Sequence, residues 1–239
     1  MVGSATGTHV HDFATAIGPE AAQALRERGQ RCSFPRGRPL VYEGQVPDRV
    51  LWIQRGSVKV GVFTVSGREA LLAFRGPGEL VGEQSAIDGE PRSATVVTVA
   101  PVEALAFTHT AFRSFLLARP DVALELAALL SRRLREADAR RLEFAGLSST
   151  GRVAAMLVEF SARFGREDNS GIRIALPLSQ EELASCTATS LESVGRALQI
   201  MRGLNYIETG RREIHVVDLP ALERLGRGEV PAARPRVGS

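Results

Sequence analysis

Short apolar runs separated by turn residues fill the first half of the chain, and long unbroken helical patterns take over after Pro120. The runs Val50–Gln54, Ser57–Phe63, Glu69–Phe74, Ala94–Val99 and Val102–Phe107 carry β-type residues, and nine glycines punctuate the stretch from Gly37 to Gly89. Many short strands with glycine turns and little helical period between them predict a compact antiparallel barrel or sandwich. Ahead of them, Pro19–Arg28 is rich in Ala, Glu and Arg and predicts a lid helix preceded by a frayed terminus.

The segment DVALELAALLSRRLREADARRLEFAGL predicts one long helix. Along it Ala123, Ala127, Leu130, Leu134 and Ala137 recur at steps of four and three, the spacing of a short coiled-coil seam. Such a helix can pack on its own barrel or on a second copy of itself. The small Ala side chains and the flanking Arg132, Arg133 and Arg135 favour close pairing of two helices. After a polar break at Ser148–Thr150, Gly151–Phe164 predicts another helix, and a second domain starts there.

Within that domain, Leu178-Ser179-Gln180-Glu181-Glu182-Leu183 has the form of a capping box. Ser179 can cap the amide of Glu182, the Glu182 side chain can reach back, and Leu178 and Leu183 are placed as the hydrophobic staple. A helix is expected from Gln180 to about Cys186, a turn over Thr187-Ala188-Thr189, and a second helix capped by Ser190 through about Arg202. Two short helices joined by three small residues predict a helix-turn-helix, whose second helix lies in the major groove with its first residues over base edges. Glu192, Ser193 and Arg196 are the candidates, because Arg can fork onto guanine O6 and N7 and Glu can accept from cytosine N4. Tyr206–Glu208 and Glu213–Val217 flank Thr209-Gly210-Arg211-Arg212 as a hairpin, which completes a winged helix.

A different chemistry is suggested by Gly78-Glu79-Leu80-Val81-Gly82-Glu83-Gln84-Ser85-Ala86, followed by Arg92-Ser93-Ala94-Thr95. Glycines at 78 and 82 would let backbone amides approach an anion, and a helix opening near Gln84 would aim more of them. Arg92 supplies a cation, Ser93 a hydroxyl, and Glu83 a carboxylate suited to a sugar hydroxyl, so the set fits a ribose phosphate. The alternative is that Glu83 and Arg92 pair with each other across a turn.

Composition sharpens this only in places. A chain of 239 residues, 44% hydrophobic and 24% charged, suits two globular domains. No apolar run is long enough to span a membrane as a helix, and the start MVGSATGTHVHDF lacks the layout of a signal peptide, so a cytoplasmic protein is expected. Cys32 and Cys186 lie in unrelated contexts, which disfavours disulfide or metal chemistry. Residues 1–141 carry 18 Arg and Lys against 15 Asp and Glu, the remainder 12 against 12, so net charge alone does not argue for nucleic acid. Residues 179–215 hold four Arg and five Glu, so a DNA surface there has to place its arginines selectively. No ordered Ser/His/Asp set, HExxH or Walker loop is present, and an enzyme is not expected.

The order β-roll, phosphate loop, long helix, winged helix-turn-helix resembles the CRP/FNR family of bacterial transcription regulators, from about Phe13 to Val217. GELVGE with RSATV is similar to that family's phosphate-binding cassette, and LSQEELASCTATSLESVGRAL to its DNA-binding motif. The resemblance implies an α+β fold, with an antiparallel β-roll over 13–119, a dimerisation helix over 120–147 and a winged helix-turn-helix over 148–225. A disordered start (1–12) and a flexible tail (226–239) would flank them. It implies a homodimer on a palindromic operator of double-stranded DNA, RNA polymerase as a partner, and a cyclic nucleotide effector: cAMP, cGMP or a cyclic dinucleotide. Gly82, Glu83 and Gln84 would face the ribose, Arg92 and Ser93 the cyclic phosphate, and Arg133, Ala137 and Asp138 would complete the pocket. Ser179, Gln180, Ser190, Leu191, Glu192, Ser193, Arg196 and Arg211 would meet DNA.

Three departures bear on that reading. The cAMP-responsive members present Thr-Ser or Thr-Asn to adenine where this chain has Ala137-Asp138. A carboxylate is an acceptor only, so at a base edge Asp138 would favour the adjacent N1–H and N2–H₂ donors of guanine; it can also point to solvent and pair with Arg135 or Arg141. Where the best-known members carry a guanine-reading Arg, this chain has Leu191, which implies an altered operator. The Cys cluster of the iron–sulfur branch is missing, and His9, His11, His109 and His215 offer no evident haem ligand. A regulator that needs no ligand, a cyclic dinucleotide receptor, and a nucleotide-binding regulatory subunit with a protein-binding C-terminal domain remain the alternatives.

Overall fold

The computed structural model describes residues 12–63 and 69–229. Contacts divide the chain into two units that meet at Asp138 and Ala139. In the first, helix α1 (Phe13–Arg26) precedes β1 (Gln30–Phe34), β2 (Pro39–Val41), β3 (Arg49–Arg55), β4 (Val58–Phe63), β5 (Glu69–Arg75) and β6 (Leu80–Val81). Helix α2 (Glu83–Asp88), β7 (Thr95–Thr98), β8 (Val102–Thr108) and α3 (His109–Ala118) follow, leading into α4 (Pro120–Gly146).

All strand pairs are antiparallel, in two sheets ordered β1-β8-β3-β6 and β2-β7-β4-β5. The run Val50-Leu51-Trp52-Ile53 is apolar at successive positions because β3 is covered on both faces. Leu51 and Ile53 pack with Val41, Val58 and Val96 of the facing sheet, while Val50 and Trp52 pack under helices with Phe13, Leu25, Phe112 and Leu126. Side chains alternate between the faces of a strand, so one strand serves two cores.

Helix α1 starts earlier than Pro19. Asp12 caps it through the amide of Ala14 at 2.9 Å, and Gly18, at a φ of 77°, makes a kink that Pro19 follows. Of α4, Val122, Leu126 and Leu129 are buried against the β-roll, whereas Ala127, Leu134 and Ala137 on the proposed seam are exposed and Leu130 is half-buried. Arg133, placed beside the seam by its spacing, turns instead to the barrel.

In the second unit, α5 (Ser149–Phe164) is followed by β9 (Gly165–Asp168), β10 (Gly171–Ile174), α6 (Gln180–Cys186), α7 (Leu191–Gly203), β11 (Ile207–Gly210), β12 (Glu213–Val216) and α8 (Leu219–Gly226). The strands form one antiparallel sheet ordered β11-β12-β10-β9. Its core draws on Val153, Leu157 and Phe160 of α5, Leu183 of α6, Val194, Leu198 and Met201 of α7, and Leu222 of α8. At the β9–β10 turn, Asp168 accepts from the Ser170 amide at 2.9 Å, the Ser170 hydroxyl at 2.8 Å and His215 Nε2 at 3.2 Å. Those bonds, the amide foremost, hold its carboxyl down at about 2. The turn therefore keeps this acceptor charged at any pH well above 2.

Of the expected terminal segments, Asp12 is the cap just described and Gly226 closes α8; 1–11 and 230–239 lie outside the described residues.

Candidate nucleotide pocket and DNA interface

The cassette is built where β6 ends. Gly82, at a φ of 81°, is the N-cap of α2, which opens at Glu83, one residue before the expected Gln84. No side chain caps its first turn, so those amides are left to another acceptor. A Cβ at Gly82 would lie 2.6 Å from Arg92 Nη1 and 3.0 Å from the Arg49 carbonyl oxygen, which is why glycine is required there. Gly78 has another task. Its amide donates to the Ile53 carbonyl at 2.8 Å and its carbonyl accepts from Phe13 N at 2.9 Å, so it anchors α1 and offers nothing to an anion.

Glu83 and Arg92 do not pair with each other. Arg92 is buried and donates through Nη1 to the Gly82 carbonyl at 2.9 Å and through Nη2 to Asp48 Oδ1 at 3.1 Å and the Arg49 carbonyl. Burial alone would raise the Asp48 carboxyl, but hydrogen bonds from Arg49 and Arg92 outweigh it and hold the carboxyl below its ordinary value. Glu83, also buried, accepts from Arg133 Nη1 of α4. Arg133 Nη2 lies 3.7 Å from Glu79 Oε1, and Arg75 Nε is 3.5 Å from the same oxygen. Arg92 Nε and Arg133 Nε are buried without an acceptor from the chain. At the rim, Ser93 Oγ donates to Gln84 Oε1 at 3.2 Å, both residues being exposed. An anion held here can take the uncapped α2 amides and the unsatisfied Arg92 donor, so the residues fit a cyclic nucleotide's phosphate.

Ala137 and Asp138 are exposed on α4 at the end of the first unit. Cys32 is not a reactive thiol: burial pushes it above its ordinary value, and Sγ donates to the Ala104 carbonyl at 3.3 Å.

In the second unit the capping box is formed in both directions. Ser179 Oγ accepts from Glu182 N at 3.1 Å and Ser179 N donates to Glu182 Oε2 at 2.9 Å, with Leu178 and Leu183 buried beside it. Ser190 Oγ accepts from Ser193 N at 3.1 Å, which starts α7. The turn between α6 and α7 places Ala188 at a φ of 49°, a left-handed position more usual for glycine. Arg152 Nη1 donates to the Ala188 carbonyl at 3.4 Å and so braces that turn from α5. On the outer face of α7, Leu191, Glu192 and Arg196 are exposed, with Arg196 Nη2 3.0 Å from Glu192 Oε1. An exposed pair four residues apart contributes only about 0.3–0.5 kcal/mol, so both side chains can be redeployed to a ligand at little cost. Gln180 is exposed at the start of α6, Ser179 is half-buried in its cap, and Arg211 is exposed at the wing tip.

Residues 31–119 match the family model for the cyclic nucleotide-binding domain, and residues 151–225 that for the Crp-like helix-turn-helix domain. The CRP-like cAMP-activated global transcriptional regulator of Mycobacterium tuberculosis is 33% identical over 211 residues, 88% of this chain and 94% of that protein. The chain belongs to the CRP/FNR family of transcription regulators. The cyclic AMP receptor protein of Thermus thermophilus is 31% identical over 89% of this chain and 95% of that protein. FixK2 from Bradyrhizobium japonicum shares the fold, with a TM-score of 0.73 at 22% identity over 86% of this chain and 99% of that one.

Sequence reasoning missed three contributors to this CRP/FNR chain's sites: Asp48 on Arg92, Glu79 beside Arg133, and Arg152 under the turn. Asp48 lies 44 residues from Arg92, and no local pattern connects them.

Proposed function

We propose that the chain acts as a homodimer in the cytoplasm, paired along the exposed Ala127–Ala137 face of α4, and reads a palindromic operator with α7 while its β-roll holds a cyclic nucleotide. RNA polymerase is the protein partner in this reading. The observation that carries it is the outer face of α7: a capped helix braced by α6 and Arg152, with Leu191, Glu192 and Arg196 presented to solvent. The named relatives, both cAMP-linked, support nucleotide control. The cyclic phosphate would take Arg92 Nε, the first amides of α2 and Ser93, and the ribose would meet Glu83 and Gly82. The nucleotide supplies a fixed anion; the chain's own residues bind and orient it.

Arg196 is assigned to a guanine and Glu192 to a cytosine, with Leu191 limited to apolar contact such as a thymine methyl. Ser179, Gln180, Ser190 and Ser193 lie near the phosphates. Selection from randomised duplexes should return a palindrome, and Arg196→Ala should weaken binding by about 1–3 kcal/mol and flatten preference at one symmetric position. An unchanged profile for the variant removes Arg196 from the reading set.

For the effector, Asp138 favours a guanine base in cyclic GMP or a cyclic dinucleotide. Calorimetric titration should show the wild type binding a guanine compound more tightly than cAMP, and Asp138→Ser should remove that preference. Tight cAMP binding that ignores the substitution would place the chain with its cAMP-activated relatives. Failure of every nucleotide to bind would favour a regulator that needs no ligand.

A further inference from the structure

Gly210 pairs with Glu213 across β11 and β12, so the wing turns through Arg211 and Arg212 alone. Two-residue hairpin turns favour Asn, Asp and Gly, which tolerate left-handed backbone, yet Arg212 occupies a φ of 58°. Neither arginine is there for the sake of the turn. Both are exposed, and neither guanidinium has a hydrogen bond or ion pair within the chain. Behind the tip the charge reverses: Glu208 and Glu213 are exposed on the two strands, and Glu213 Oε1 lies 3.6 Å from Arg173 Nη1. The base of the wing is fixed to the recognition helix, because Arg202 Nη1 in the last turn of α7 donates to Thr209 Oγ1 at 2.9 Å.

A surface that tracks phosphates spreads its cations along the backbone it follows. This hairpin carries them only at the apex, and its acidic sides repel phosphates. We infer that the wing tip enters the minor groove beside the half-site, where Arg211 and Arg212 read groove width and hence an A·T-rich flank. A·T tracts narrow that groove and deepen its negative potential, which draws cationic side chains in. Guanine places its N2 amino group in the same groove, so a G·C flank opposes the approach. The inference rests on the DNA-reading function proposed above and adds to α7 a second specificity determinant outside the major groove.

The test uses full-length protein and a half-site obtained by selection from randomised duplexes, remade with flanks of A·T, G·C or inosine·cytosine pairs. Inosine lacks the N2 amino group while keeping guanine's major-groove edge. The wild type is expected to bind the A·T and inosine flanks about tenfold more tightly than the G·C flank, within the usual range for one or two base pairs. The variant Arg211→Asn/Arg212→Gly has a tip suited to a two-residue turn, so the hairpin is retained. It should bind all three flanks alike and keep its half-site discrimination. A wild type indifferent to the flank overturns the inference. So does a variant that weakens equally on every flank with a shallower salt dependence, because its arginines then hold phosphates. If selection enriches no half-site at all, the DNA-reading function itself fails and the inference falls with it.

Discussion

A chain carrying Leu130→Asp and Leu134→Asp will sediment as a folded monomer and lose operator affinity by roughly 100-fold or more, as expected when two linked half-site contacts become one. The inward face of α4 is already used: Val122, Leu126 and Leu129 are buried on the β-roll. The opposite face leaves Leu134 64% exposed, with Ala127 and Ala137 exposed above and below it. Burying a leucine contributes about 1.5–3 kcal/mol, and a dimer would bury these from both chains, whereas aspartates at the same seam would face their counterparts as like charges. The native inner face is untouched, so circular dichroism should be unchanged. A double variant that still sediments as a dimer would place the interface elsewhere.

The second large effect is on stability. Arg133→Leu should lower the melting temperature of the first unit by more than about 10 °C, corresponding to a loss of about 3–5 kcal/mol. Glu83 and Glu79 are each only 4% exposed, and Arg133 is the cation that reaches both. Removing it leaves Glu83 buried with a charge that no printed partner balances, which is far more costly than the net contribution of the intact pair. Adding Glu83→Gln to Arg133→Leu should recover a large part of the loss, because the amide needs hydrogen bonds but no counter-charge. Scanning calorimetry reads both variants. If Arg133→Leu melts within a few degrees of the wild type, the cluster is solvated in solution and does not hold α4 to the cassette.

The helix-turn-helix was the most legible part of the chain because its signals are local. Ser179 with Glu182, and Ser190 with Ser193, fix helix starts within three residues, and α6 and α7 begin where those caps place them. The strands of the roll were legible where alternation or an unbroken apolar run marked them. β9, Gly-Arg-Glu-Asp, is exposed at all four positions and offers no period, so the β9–β10 hairpin escaped notice. α3 escaped because it follows β8 directly; its cap is Thr108, the strand's own last residue, whose Oγ1 accepts from Ala111 N at 3.1 Å. At the nucleotide pocket the residue types were readable and their partners were not. Arg133 reaches Glu83 across 50 residues, so the pairing depends on how α4 lies on the roll.

The strand order of the roll also governs how the chain can assemble. β1 has no partner until β8 exists, since Gln30 pairs with Ala106, and β2 waits for β7, with Pro39 opposite Val97. In the second unit, β11 meets β12 across two residues and α6 meets α7 across a short turn. Loop-closure entropy must be overcome before distant pairings form, so the wing and its helices regain order first and the roll closes last. During synthesis, β1 and β2 stand as unpaired edges until the ribosome has released the segment through Thr108. The nucleotide-binding half, rather than the DNA-binding half, is thus the one that depends on chaperones and is most exposed to aggregation while it is being made.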